Sequence, residues 1–261
     1  MRIAFCLLSM LSFFCFCAER KPAESRIEYE QIESDSGVAY VKRTFNGKNK
    51  LRIEERLNSD SVNHGDYSSY YRSSKPKVKG KYNKGLKHGT WLLYDTAGHL
   101  TAKQNWFEDK QFGEQFFYGA NEQITDYYFM NLKGKPVYHA QFENGALVKS
   151  KGVPYYLAYI ADSIKAGNEY ALLIFFGLPP GLNYRISATE YLLPNREIVS
   201  TKDYSLMNDI AEGVFWGKRI EVSKIYSKPA IYEWKIGFEF YDEKKIVCTA
   251  SDTIKIQVVA K

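Results

Sequence analysis

The stretch YNKGLKHGTWLLYDTAGHLT, residues 82–101, determines the fold of the first half of this 261-residue chain. Its pattern recurs, because Gly65, Gly89 and Gly113 follow one another at 24-residue intervals, each ahead of an aromatic-rich run. Glycine tolerates positive φ, and the segments NKG and DTAG have the composition of tight turns. We therefore expect each unit to be a β-hairpin that pairs with its neighbours, because one hairpin cannot bury its aromatic side chains alone.

From about Val153 onwards the period disappears and short runs alternate apolar with polar residues. In Tyr232–Phe240 the even-numbered positions from 234 onwards are apolar, whereas Tyr170–Phe176 is continuously apolar, as in a buried strand. About seven strands at this spacing predict an immunoglobulin-like β-sandwich. A short helix is expected around Leu206–Ala211.

The composition agrees with an all-β chain. It has 36 Lys and Arg against 30 Asp and Glu, a formal net charge of +6, and 16% aromatic residues. The charge is too balanced and the aromatic content too high for a disordered protein. Tyrosine and phenylalanine, which number 21 and 16, favour strands.

The N-terminus resembles a targeting signal. Arg2 is followed by Ile3–Phe16, which carries no charge. As a helix this run reaches about 21 Å, short of the ~30 Å hydrocarbon core of a bilayer. It predicts a secretory signal peptide over residues 1–17, and hence an exported protein. Four segments follow from this division: the signal peptide, a tether over 18–40 ending in an edge strand near Gly37–Arg43, a repeat domain over 41–150 and a sandwich over 153–261.

Cys17 is the candidate lipidation site. The segment Phe14–Cys17 resembles the lipobox of bacterial lipoproteins, which implies an outer-membrane lipoprotein held to the membrane by its lipid anchor. The alternative is ordinary cleavage after Cys17 and secretion. If Cys17 is acylated, Cys248 has no intramolecular disulfide partner, and the fold depends on its core.

The repeat resembles the bacterial MORN repeat variant, closely over 82–101 and fairly over 104–125. The resemblance implies a twisted antiparallel meander that serves as a scaffold or binding surface, with no catalysis. Phe112 and Gln115 depart from the pattern, which has His and Trp there, so a role that needs those residues in every repeat is not expected. Bacterial proteins of this family are often labelled antitoxin components, but a cytoplasmic antidote would not carry an export signal.

A basic stripe lies between residues 72 and 87, which contain seven Lys and Arg and no acid. Strand alternation would place its four central lysines on one face of the sheet: Lys75, Lys77, Lys79 and Lys81. One interpretation is an anion-binding stripe for lipid headgroups, polysaccharide or an acidic envelope protein. The other is a solvated edge strand that discourages aggregation.

The aromatic residues of the repeats form a second candidate surface, made of Trp91, Tyr94, Trp106, Phe117 and Tyr118. One interpretation is that they hold the hairpins together as core. The other is an exposed groove suited to sugar or peptide contacts.

Signals for catalysis are weak. His64 and His88 share a repeat position, but zinc sites recruit three or four ligands, so a packing or capping role is favoured. The sequence contains no Gly-x-Ser-x-Gly, no His-Glu-x-x-His and no phosphate-binding glycine loop. We expect a non-enzymatic binding or scaffolding protein with no cofactor, metal or nucleic-acid partner. The alternatives are an antitoxin-like component or a periplasmic enzyme with an unrecognised site.

Overall fold

The computed structural model describes residues 24–34, 37–159, 161–203, 218–242 and 245–260. The predicted signal peptide, Cys17 and the helix expected around Leu206–Ala211 lie outside the described residues. Within the described ranges every regular element is a β-strand, which confirms the all-β class. No helix that could cross a membrane occurs there.

The first half is one eleven-stranded antiparallel sheet in which every strand pairs with the strand before and after it in sequence. Its strands are β1 (Arg26–Ser34), β2 (Gly37–Phe45), β3 (Leu51–Leu57), β4 (Asn63–Tyr70), β5 (Pro76–Asn83), β6 (Leu86–Tyr94), β7 (Leu100–Phe107), β8 (Lys110–Tyr118), β9 (Ile124–Met130), β10 (Pro136–Glu143) and β11 (Ala146–Gly152). The predicted hairpin meander is therefore confirmed.

The turns of the meander repeat with the same period as the sequence. The backbone N–H groups of residues 71, 95 and 119 each donate to the carbonyl four residues later, at 2.9–3.0 Å. On the opposite end of the sheet, Lys84–Gly85 and Glu108–Asp109 form two-residue turns with positive φ at both positions, as type I′ hairpins require. The 24-residue period is thus two strands and two turns.

The tether predicted over 18–40 is wrong for residues 26–34, which form strand β1. Arg26–Ser34 pairs with β2 along its whole length, so β1, and not the segment Gly37–Arg43, is the edge of the sheet. The acidic residues that suggested a solvated tether lie partly on this strand. Glu30, for example, accepts a 2.7 Å hydrogen bond from Arg43.

The second half folds as the predicted β-sandwich. Its strands are β12 (Tyr155–Tyr159), β13 (Ser163–Lys165), β14 (Glu169–Phe176), β15 (Asn183–Leu192), β16 (Glu197–Asp203), β17 (Lys218–Ile225), β18 (Ala230–Asp242) and β19 (Lys245–Val259). One sheet has the order β12-β14-β17 and the other β13-β19-β18-β15-β16. Their inner faces share one apolar core, to which β18 contributes the residues expected from its alternation, Trp234, Ile236, Phe238 and Phe240.

The meander packs against the sandwich at its C-terminal end. A second apolar cluster joins strands β8–β10 to the three-stranded sheet, and at its centre Phe112 and Phe129 contact Tyr156 and Phe175. Strands β1–β6 contribute no residue to either apolar cluster. They are held by neighbour pairing and by contacts between their own side chains.

Candidate binding surfaces of the meander

The strand register assigns the side chains of the meander to two faces. Directly opposed residues of an antiparallel pair point to the same side of a sheet. One face is defined by a row of opposed residues running from β5 to β10: Lys79, Leu92, Lys103, Phe116, Tyr127 and Ala140. We call it the lysine face. Tyr127 and Ala140 are fully buried under the sandwich, so the sandwich stands on this face.

The other face is defined by a row in which Trp91, Gln104, Gln115, Tyr128 and His139 are successive opposed partners from β6 to β10. We call it the aromatic face. Lys79 of the predicted basic stripe and Trp91 of the predicted aromatic set therefore lie on opposite sides of one sheet.

On the lysine face, Lys77, Lys79 and Lys81 are exposed and alternate with less exposed residues of β5, as predicted. Lys75 does not belong to this set. It ends the turn before β5, and its Nζ donates to the Ala97 carbonyl. The interpretation of a protected edge is wrong, because β5 is the fifth of eleven strands and is paired on both sides.

Several cations of the first four strands have acidic partners. Arg43 of β2 contacts Glu54 at 2.6 Å and Glu30 at 2.7 Å, and Lys42 contacts Glu55 at 2.7 Å. Partly exposed pairs of this kind add little stability each, but they neutralise part of the charge of these strands.

The lysines of β5 and β7 differ in their partners. Lys81 lies 3.5 Å from Asp66, whereas Lys77, Lys79 and Lys103 form no ion pair with any carboxylate of the described residues. Lys103 instead lies over the Phe116 ring, 5.7 Å from its centroid. Three unbalanced cations therefore occupy neighbouring positions on the lysine face.

On the aromatic face, Trp91 is the centre of a ring cluster. It is 3% exposed, stacks on Tyr67 with centroids 5.6 Å apart and meets Tyr82 edge-on at 5.0 Å. Its ring lies over Gly80, where a Cβ atom would come within 2.3 Å of the indole. This glycine is required by a close approach and not by a turn.

Lys87 joins two repeats on this face. Its Nζ lies 4.7 Å from the Trp91 ring and 4.3 Å from the Trp106 ring, so one ammonium contacts both indoles. Such cation–π contacts are worth about 0.5–2 kcal/mol each, depending on desolvation. The sequence prediction counted Lys87 only among the basic residues of the stripe, and alternation could have placed it on the other face.

The departure of Gln115 from the repeat pattern has a structural explanation. Trp91 Nε1 donates to the Lys81 carbonyl at 3.2 Å, and Gln115 Nε2 donates to the Asn105 carbonyl at 3.0 Å. Donor and acceptor are each displaced by one 24-residue period. The glutamine amide therefore replaces the indole N–H as the donor, without the ring.

The remaining predicted aromatic residues are partly buried. Phe117 meets Tyr128 edge-on at 5.7 Å, Tyr94 accepts a 2.7 Å hydrogen bond from Tyr71 at its carbonyl, and burial raises the pKa of Tyr118. Trp106 is partly exposed, with its Nε1 buried. Packing thus accounts for most of the predicted aromatic set.

The histidines have local partners. His64 Nδ1 accepts a 3.3 Å hydrogen bond from the Lys84 backbone, whereas His88 lies against the Phe107 ring. His139 stacks on Tyr128 and contacts Asp126 at 2.9 Å. No group of three or more His, Cys, Asp or Glu side chains arranged for a metal is found in the part of the chain that the structure describes.

Glu114 links the meander to the sandwich and was missed in the sequence. Its Oε1 accepts from the Tyr127 hydroxyl at 3.1 Å and from the Leu178 backbone at 2.9 Å. Burial is the main cause that raises the pKa of Tyr127, and the Glu114 carboxylate raises it further. Nothing local marks Glu114, because its partner is 64 residues away.

A polar cluster inside the sandwich was also missed. Glu190 is fully buried, and its Oε2 accepts from Lys224 at 2.6 Å and from Ser200 at 2.9 Å. Beside it, Trp234 Nε1 donates to the Tyr226 hydroxyl at 2.6 Å. Burial raises the pKa of Tyr226, and the Glu190 carboxylate raises it further. The cluster connects the two sheets, since Glu190, Ser200 and Trp234 belong to one and Lys224 to the other.

Comparison with known proteins assigns no family. No protein-family model matches the chain, and no curated protein matches it. Two crystal structures of TarM, one of them a mutant of S. aureus TarM in complex with fondaparinux, α-GlcNAc-glycerol and UDP, align with 47% of this chain at 14% identity. The chain spans 19% of the length of those proteins, with a TM-score of 0.22. A similarity this low carries no conclusion about fold or function.

Proposed function

We propose that this protein is a non-enzymatic binding or scaffolding protein of the bacterial cell envelope, exported and anchored through Cys17. The observation that supports its binding role is the construction of strands β1–β6, which form a sheet outside both apolar clusters. Because strands β1–β6 do not cover an apolar cluster, their faces can contact a partner.

The sheet is large enough for this role. Strands of seven to nine residues are about 26 Å long, and the six strands β1–β6 side by side span roughly 29 Å. Each face therefore offers roughly 750 Å², comparable with one side of a standard protein–protein interface. The bacterial MORN repeat variant, which the repeats resemble, implies the same use.

Placement in the envelope rests on the sequence of the first residues. A fusion of residues 1–23 to alkaline phosphatase is expected to be active outside the cytoplasm, because the uncharged run Ile3–Phe16 has the length of a signal peptide. Cys17→Ser is expected to abolish labelling with a palmitate analogue. Cytoplasmic retention of the fusion would instead favour the antitoxin-like alternative.

The binding role is tested by photo-cross-linking in cells. The photoreactive residue p-benzoylphenylalanine is placed at Ser68 on the lysine face or at Tyr82 on the aromatic face. The matched control is Val199 on β16, which is 43% exposed. We expect discrete adducts from a meander position and none from the control. Adducts from Val199 alone would place the binding surface on the sandwich.

A further inference from the structure

We infer that the lysine face beside the sandwich binds a linear anionic polysaccharide, through Lys77, Lys79 and Lys103. This inference rests on the proposed function and assigns a ligand class to one of the two faces. Two observations carry it. These lysines have no carboxylate partner among the described residues, and they lie close to the angle between the lysine face and the sandwich, which we call the corner.

No described carboxylate forms an ion pair with any of these three lysines. On the same face, Arg43 is paired with Glu30 and Glu54. Lys77, Lys79 and Lys103 have no such partner among the described carboxylates, although they lie only a few strands away. Because β5 is an interior strand, protection of an edge does not explain its lysines. Their charge is available to an external anion.

The spacing of the cations is that of an extended ligand. Lys77 and Lys79 are two residues apart on one strand, about 6.7 Å, and Lys103 is two strands from Lys79, about 9.6 Å. Leu92 lies between Lys79 and Lys103 in the opposed row. Three cations around an apolar position suit a polymer that carries an acidic group on successive sugar units, since the sugar rings also present apolar faces.

The corner favours a polymer over a membrane. In the opposed row, Lys103 is two strands from Tyr127, which is buried under the sandwich. The unpaired lysines thus begin about 10 Å from a wall that stands on the same face. A flat bilayer cannot lie against both walls of a corner, whereas a linear chain can follow it.

The test compares two triple variants of the full chain that lose the same charge. Lys77→Gln/Lys79→Gln/Lys103→Gln removes the proposed site. The control, Lys133→Gln/Lys149→Gln/Lys151→Gln, alters exposed lysines of the same sheet that lie outside the corner. Calorimetry measures binding of polygalacturonate, with neutral dextran and vesicles containing 30% phosphatidylglycerol as further probes. Near-UV circular dichroism checks that both variants fold.

We expect the site variant to lose at least tenfold in affinity for polygalacturonate and the control variant less than twofold. The slope of affinity against salt should fall by two to three in the site variant, because each lysine contact releases about one counterion. Dextran should not bind. Equal losses in both variants, no binding of polygalacturonate, or tighter lysine-dependent binding of the vesicles would each overturn the inference. If polygalacturonate fails while Ser68 or Tyr82 still gives discrete adducts, only this inference fails.

Discussion

Gly80 shows how one missing side chain positions the largest residue of the repeat. The Trp91 ring occupies the space in which a Cβ atom of residue 80 would lie. With the ring there, its Nε1 reaches the Lys81 carbonyl, and its faces meet Tyr67 and Lys87. The packing of the aromatic face therefore depends on Gly80, which has no side chain to contribute to it.

Gly80→Ala is expected to destabilise the protein by about 1–3 kcal/mol, because the new methyl group overlaps the indole and forces it out of its position. Urea unfolding followed by tryptophan fluorescence measures this. Ser68→Ala, on the neighbouring strand, is the control and should change stability by less than about 0.5 kcal/mol. In the double variant Gly80→Ala/Trp91→Leu, the two effects should not add, since the smaller side chain removes the overlap. Additive losses would contradict the assignment of the clash.

At the scale of the element, strands β15 and β17 carry polar residues at inward positions. Glu190 follows Ile186 and Ala188 in the alternation of β15, and all three are fully buried or nearly so. Lys224 reaches Glu190 from the opposite sheet. Burying a charged pair of this kind costs desolvation energy. Replacing both partners with apolar residues therefore changes the free energy of unfolding much less than removing one partner, which leaves the other charge buried alone.

Lys224→Met is expected to cost about 3 kcal/mol, because Glu190 is left buried without its cation. Glu190→Leu/Lys224→Met should recover most of that loss, since neither charge then needs a partner. The free energy of unfolding in urea distinguishes the two. A double variant as unstable as the single one would show that the cluster contributes packing that apolar residues cannot replace.

Tyr155 is expected to make the stability of the sandwich depend on pH above about 10. It stacks on Phe238 with ring centroids 3.4 Å apart, and burial raises its pKa to about 12, with a further contribution from Asp252. A folded-state pKa above the unfolded value of about 10 means that the stabilisation is complete below pH 10 and is lost as the pH rises through 12. Tyr155→Phe should therefore reduce the loss of stability between pH 10 and 12. Near-UV circular dichroism at increasing pH measures it, and an unchanged alkaline transition would refute the role of Tyr155.

At the scale of the whole molecule, the two halves are joined by an apolar contact and by one acidic side chain. Glu114 of β8 accepts hydrogen bonds from Tyr127 within the meander and from the backbone of Leu178 in the sandwich. Gly177 lies beside them, and a Cβ atom there would come within 2.2 Å of the Tyr127 hydroxyl. We therefore expect substitutions at this junction to be poorly tolerated both in the meander and in the sandwich.

Glu114→Ala is expected to cost about 2 kcal/mol, because two donors at the junction lose their acceptor. Glu114→Gln retains an oxygen at the same position and should cost less. Differential scanning calorimetry measures both. We also expect the Ala variant to separate the single transition into two as the halves lose their coupling. A single, unshifted transition would argue that the apolar contact alone joins them.

Local patterns were sufficient to predict most of this fold. The glycine spacing predicted the meander, and the alternation in Tyr232–Phe240 predicted a strand whose apolar residues are all buried. The strand β1 was missed because its acidic residues resemble a tether until Arg43 is known to lie opposite. The register between two strands cannot be predicted from the residues of one strand alone.

The candidate surfaces were predicted only in part. Alternation placed Lys77, Lys79 and Lys81 on one face, as the structure has them. Lys103 lies one repeat further along the sequence than Lys79, and the two share a face only because the register of the intervening strand aligns them. Glu114 depends on a contact between domains, for which the sequence offers no local signal.

Each of the eleven strands pairs with the strands before and after it in sequence, so the width of the sheet increases with every strand that is added. The chain enters the sheet at β1 and leaves it at β11, about 48 Å from the entry edge. Each repeat adds two strands, or about 9.6 Å, without altering either end. The meander is therefore also a spacer, and the number of its repeats sets how far the edge strand β1 lies from the strands that carry the sandwich.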